Sequence, residues 1–201
     1  MKIWQFPLYI SLLSAVTFPV HADPLEKSKS MILLFDFETG EKVWKVIDDG
    51  VMGGVSKGNW RTGEGIGIFQ GELSLENNGG FSSVRSAPLA ALPAGISGFR
   101  LRVKGDGRTY QFRLRTDANF DGASYQVEFT TRSGEWQEIE LKIDLFKAVF
   151  RGNVLKDYPA LSGEKVVTAG FLLADKKAGP FRLEVDWIGI NTKAPPTTGT
   201  E

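Results

Sequence analysis

The sequence predicts an all-β fold, a jelly-roll β-sandwich of eight to ten antiparallel strands. Three observations carry that expectation. Three segments alternate apolar and polar residues with period two: Phe99, Leu101 and Val103 against Arg100, Arg102 and Lys104; Tyr110, Phe112 and Leu114 against Gln111, Arg113 and Arg115; Tyr125, Val127 and Phe129 against Gln126, Glu128 and Thr130. Such alternation is the pattern of half-buried antiparallel strands. Glycine-rich turns punctuate the chain, and no useful length of it has a helical period.

Taken in order, the chain opens on Met1-Lys2, an apolar stretch from Phe6 to Val20, and the small-x-small boundary Val20-His21-Ala22. This reads as a secretory signal peptide over residues 1–22 with cleavage after Ala22, too short for a comfortable membrane span. The expected product is periplasmic or secreted, with no stable membrane insertion. Residues 23–30 are charged and read as a flexible N-terminal segment. One domain is expected over 31–191. Within it, Ile32 to Phe37 and Val43 to Ile47 read as strands, followed by Asp48-Asp49-Gly50-Val51-Met52-Gly53-Gly54-Val55-Ser56. A strand over Gly65 to Leu75 is expected to bend near Gly71. Glu76-Asn77-Asn78-Gly79-Gly80 is turn chemistry, and Phe81 to Arg85 resumes a strand. After the three alternating strands, Trp136 and Ile139 differ in parity, which predicts a bulge between Glu135 and Leu141. Residues 144–163 read as irregular with a short helical turn. Val166 to Ala174 and Phe181 to Trp187 supply the last strands, and 192–201 reads as a disordered tail.

Charge and composition narrow the function. The 201 residues carry 24 basic and 24 acidic side chains, which gives no footprint for nucleic acid or an anionic membrane. There is no cysteine, and the single histidine is His21, inside the expected leader. The mature domain therefore has no means to build a Ser-His-Asp triad, a Cys-His dyad or an ordinary zinc site. A carboxylate pair of the glycosidase kind needs neither residue, but nothing selects one pair among the acids. The chain reads as a non-enzyme with no cofactor.

Two constellations remain as candidates for recognition. The Asp48/Asp49 pair suits hard-ion ligation or turn and capping roles. A structural calcium ion would need further oxygen ligands at regular spacing, which Val51, Met52 and Gly53 do not supply. Gly53-Gly54 is not a phosphate loop, since no Lys-Ser/Thr follows. The second constellation is the polar strand face of Arg102, Arg113, Arg115, Glu128, Glu138 and Glu140. It is either a solvated face with cross-strand ion pairs or a concave ligand face. In the latter case Trp44, Trp60, Trp136 and Tyr158 would supply rings that stack on sugars or anchor a partner. Gly105-Asp106-Gly107 reads as a hairpin turn.

The stretch Asp48 to Ser56, followed by Leu75-Glu76-Asn77-Asn78-Gly79-Gly80-Phe81-Ser82-Ser83-Val84-Arg85, resembles the complex I intermediate-associated protein family. The resemblance continues in Lys104-Gly105-Asp106-Gly107-Arg108-Thr109-Tyr110, in Phe146 to Gly152 and in Ala174 to Phe181, and covers Phe35 to Ile190. It implies a galactose-binding-like β-sandwich that assists assembly of NADH:ubiquinone oxidoreductase without catalysis, and a shape like that of carbohydrate-binding modules. Asp49, Met52, Gly53, Gly54, Ser56, Gly80, Phe81, Ser83, Arg85, Asp106, Tyr110 and Asp175 match its pattern. The functional expectation is an exported interaction module with a periplasmic protein partner; the alternative is a carbohydrate-binding module using the concave face. Asp48, Asp49, Met52, Gly53, Gly54, Ser56, Asn77, Gly80, Phe81, Ser83 and Arg85 form the candidate recognition loop. Its two halves, Asp48–Ser56 and Asn77–Phe81, are expected to meet at one end or edge of the sandwich.

Overall fold

The computed structural model describes residues 31–38, 43–117, 119 and 121–192. The expected leader, the segment 23–30 and residues 193–201 of the expected tail lie outside the described residues. Thr192 does not: it ends the last strand.

Thirteen strands form two antiparallel sheets, with no α-helix among the described residues. They are β1 (Met31–Phe35), β2 (Trp44–Asp48), β3 (Lys57–Gly63), β4 (Ile66–Leu73), β5 (Ser82–Ser86), β6 (Ile96–Lys104) and β7 (Thr109–Arg115). β8 (Ser124–Thr130), β9 (Trp136–Lys142), β10 (Lys147–Phe150), β11 (Asn153–Val154), β12 (Thr168–Leu173) and β13 (Gly179–Thr192) follow. One sheet runs β3-β4-β13-β6-β9, with β1 also on β13; the other runs β11-β10-β8-β7-β12-β5-β2. Ten of these strands were expected from the sequence. The additional three are β3, β10 and β11. β3 hides because its inward positions include Gly58 as well as Trp60, and β10 and β11 fall in the stretch read as irregular.

The alternation behaves as half-buried strands require. Phe99, Leu101, Val103, Tyr110, Phe112 and Leu114 are fully buried between the sheets. At about 25 cal/mol per Å² of apolar surface, such burial is the main stabilising term for a domain without disulfides.

One local expectation is corrected. β9 pairs β6 without any register shift from Trp136 to Lys142, so its parity change is not a bulge. Gln137, Ile139 and Leu141 lie opposite the inward Val103, Leu101 and Phe99, and Trp136 is simply on the outer face. The bulge is on β13, where Val185 pairs Val103 but Trp187 pairs Arg102, leaving Asp186 as the extra residue. At Gly71 the β4 register to β13 is continuous, from Gly67 to Leu73. A Cβ on Gly71 would lie 2.0 Å from the Lys57 carbonyl oxygen, so glycine serves close backbone approach there.

The sheets are joined at one side by an aromatic cluster. Trp44 of β2 stacks on Trp60 of β3, centroids 4.5 Å apart and planes 20° apart. Trp44 also lies 4.9 Å from Phe35 and 6.2 Å from Phe171. It is only 8% exposed. Trp44 is in the core and Trp60 packs against it, half-buried, which corrects their assignment as ligand platforms.

Candidate functional site

The segments 48–56 and 75–82 meet at one edge, and the Asp48/Asp49 pair holds them together. β2 ends at Asp48, and residues 49–52 form a single 3-10 turn. The Asp49 side chain points inward and is wholly buried. Its Oδ1 accepts the Ser56 N–H at 3.0 Å; its Oδ2 accepts the Ser56 hydroxyl at 2.6 Å and the N–H groups of Gly80 and Phe81 at 2.7 and 3.3 Å. The Asp49 N–H in turn donates to the Phe81 carbonyl at 3.3 Å. Burial pushes the Asp49 carboxyl upward, but these four donors outweigh it and hold it below its ordinary value.

Asp48 works on the other side of the same junction. Its Oδ2 accepts the Gly58 N–H at 2.9 Å and its Oδ1 accepts the Ser82 hydroxyl at 2.6 Å. Ser56 relays outward: its hydroxyl accepts the Ser74 N–H at 3.0 Å. Asn77 donates to the Gly53 carbonyl at 3.2 Å.

Two glycines make this geometry available. A Cβ on Gly54 would sit 2.3 Å from the Asp49 carboxyl carbon, and Gly80 has φ +124°, a region that L side chains rarely adopt.

With its polar atoms turned inward, the junction turns its apolar side chains out. Val51 and Met52 are 72% and 71% exposed, and Val55 and Leu75 are exposed beside them. Ser83 and Arg85, expected on this edge, are elsewhere. They stand on β5 facing outward, Ser83 donating to the Ile47 carbonyl at 2.8 Å.

A second buried polar hub fixes the opposite part of the signature. Arg108, 9% exposed, donates from Nε and Nη2 to the two carboxylate oxygens of Asp175 at 3.0 and 2.6 Å. Its Nη1 reaches the carbonyls of Gly179 and Pro180, and Nη2 that of Lys177. The Asp175 hydrogen bonds raise the Arg108 pKa, and Asp175, pushed up by burial, is brought below its ordinary value by the same fork. Asp106 accepts the Tyr110 hydroxyl at 3.0 Å and the Arg182 N–H at 2.8 Å. Sequence reasoning passed over Arg108; its signal was a single arginine directly after the Asp-Gly turn.

The polar strand face splits in two. Arg102 is on the outer face of the β3-β4-β13-β6-β9 sheet. There it pairs with Asp186 and lies 4.9 Å over the Trp136 ring. Arg100–Glu138 and Lys104–Glu184, both at 2.6 Å, complete a ladder of cross-strand ion pairs. Arg113, Arg115 and Glu128 stand on the outer face of the other sheet, where Glu128 accepts from Gln111 at 3.2 Å. The residues expected on one ligand face therefore do not share one, because alternation marks a residue as outward without saying on which sheet. Tyr158 lies 6.0 Å from the Tyr125 ring. Among the described residues no group of three or more acidic side chains converges to hold a metal.

Fold and site define a galactose-binding-like β-sandwich with a polar-pinned loop edge. Among solved structures, the family 11 carbohydrate-binding module of Clostridium thermocellum shares this fold at TM-score 0.60 and 17% identity, covering 81% of this chain and 95% of that one. The chain belongs to the Complex I intermediate-associated protein 30 family, whose profile matches residues 34–185. The mouse mitochondrial protein of that name is 38% identical over 96 residues, 46% of this chain and 29% of the relative. Its Drosophila melanogaster counterpart is 34% identical over 96 residues, 45% and 32%. A Caenorhabditis elegans relative, named as a probable member, is 25% identical over 187 residues, 78% and 53%. The matches thus span about a third to a half of these curated relatives.

The expected periplasmic or secreted location is corrected by these names, which are those of mitochondrial proteins. An apolar leader records hydrophobicity; it does not record which membrane system receives it.

Proposed function

We propose that this domain is a non-enzymatic protein-binding module with an assembly-factor role like that of its relatives, acting on intermediates of respiratory complex I. One observation carries the reading to a surface. The buried Asp49 hub holds Val51, Met52, Val55 and Leu75 out at a single edge. Exposed apolar side chains rimmed by polar groups characterise protein contact sites. A rigid support lowers the ordering cost of binding. The partner is therefore a protein with a complementary apolar patch, and the reading requires no cofactor.

Three of the four rings named for the carbohydrate alternative are already engaged within the domain. Trp44 is buried in the core, Trp60 is stacked on it, and Trp136 is engaged by Arg102 and Lys104.

Native gels of solubilised membranes from the source organism test the proposal. Deleting the gene should deplete full-length complex I and accumulate partial assemblies, restored by the wild-type copy. Complex I at ordinary level and size in the deletion strain would overturn it.

A further inference from the structure

A different feature, on the face away from the core of the β5-β12-β7 strands, is independent of the assembly reading. The register sets Arg85 of β5 and Arg113 of β7 on either side of Gly170 of β12. Arg115 of β7 is opposite Thr168 of β12 in the next outward position. Between them lies a small open cleft of about 30 Å³, lined by Ser83, Arg85, Arg113, Arg115 and Thr168. The basic row extends further, since Lys45 pairs Arg85 on β2 and Lys147 pairs Gln126 on β10.

The arginines are not simply surface charges. Burial, then repulsion from Arg115, brings Arg85 down to about 10; burial, then Arg115 and Arg85, does the same for Arg113. Arg113 Nη2 donates to Gln126 at 2.6 Å and Arg115 Nη1 to the Gly122 carbonyl at 2.5 Å. Asp117 and Asp121 act on Arg115 through space, and Asp121 on Arg85. Within the cleft, however, two buried polar atoms have no hydrogen-bond partner among the described residues: Arg113 Nε and the Thr168 hydroxyl. An N–H donor and a hydroxyl, both desolvated and surrounded by guanidinium groups, favour an anionic acceptor.

We propose that this cleft binds a phosphoryl group, either inorganic phosphate or a phosphate monoester. A carboxylate brings one charge and two oxygens. A phosphoryl group brings about −1.5 to −2 charges at neutral pH and three acceptor oxygens, which suits three arginines and a hydroxyl better. Arginine's planar fork is also matched to it. The one aromatic residue lining the cleft, Phe171, is fully buried with its ring among the core aromatics, so stacking on a sugar has no exposed counterpart here.

Titration calorimetry on the full chain, with inorganic phosphate and O-phosphoserine at matched ionic strength against chloride, tests the site. Both ligands should bind, and the Arg113→Gln and Thr168→Val variants should each weaken binding at least tenfold. Arg102→Gln, on the other sheet, should leave it unchanged. Amide NMR shifts on the wild-type chain localise the site without any variant and should centre on Arg113, Thr168 and Gly170. Tighter binding of phosphoserine would assign the source to a phosphorylated partner; equal affinities would assign it to free phosphate. No heat or shift beyond that of chloride, or shifts spread over surface lysines, would overturn the proposal.

Discussion

Asp49 accepts the Gly80 N–H at 2.7 Å across 31 residues of sequence. That bond, with the Ser56 and Phe81 bonds to the same carboxylate, makes a charged group part of the domain's framework. Its removal has a defined cost. Asp49→Asn would present an amide N–H₂ to backbone donors, and unfolding by urea should show a loss of about 3 kcal/mol at neutral pH. A variant as stable as the wild type would show the hub to be dispensable.

The same group sets an acid dependence. The folded-state pKa of Asp49 is below its ordinary 3.8. Its stabilisation is therefore complete above the unfolded pKa and declines as pH falls through the folded value. The gap between wild type and Asp49→Asn should be constant from pH 7 to 5 and narrow below about 3.8. A gap that widens on acidification would contradict the sign.

Asp175→Asn should leave the Arg108 guanidinium buried without its counter-charge, at a cost of about 3–5 kcal/mol in thermal or chemical denaturation. Arg108→Lys should also destabilise markedly, because an ammonium does not span both Asp175 oxygens and the three nearby carbonyls. Lysine behaving like arginine here would show that charge alone suffices.

Trp44→Ala distinguishes a core ring from a sugar platform. Loss of its contacts with Trp60, Phe35 and Phe171 should cost about 3–5 kcal/mol. Stability unchanged by the substitution would return the ring to the surface.

At the exposed edge the expectation reverses. Val51→Asp with Met52→Asp should change stability by no more than about 0.5 kcal/mol per site. The double variant should nevertheless fail to restore complex I on native gels in a deletion strain. Full restoration would place the partner contact elsewhere.

The strands that sequence conveyed best are those with one wet and one dry face. β6, β7 and β8 alternate because their outward residues have a solvent side to meet. β3 escaped because it contributes one large ring, Trp60, and otherwise small or polar residues. Trp44 looked like a surface ring because nothing local reveals a partner on the other sheet. Arg102 and Arg113 look identical in one dimension, yet belong to opposite outer faces. The meeting of Asp48–Ser56 with Asn77–Phe81 was legible, since paired carboxylates and flanking glycines need donors close by. The inward aim of Asp49 was not: burial of a carboxylate depends on donors supplied from another strand's end.

The Asp48 and Asp49 bonds to Ser82, Gly80 and Phe81 close loops of more than thirty residues. Pairing of β3, β4 and β5 lowers the entropic cost of closing them, because it brings the two segments together. The outward edge with Val51 and Met52 is thus anchored by residues far apart in the chain as well as by its own turn. Loss of the Asp49 bonds would therefore be felt at the edge itself, although none of its exposed apolar side chains makes them.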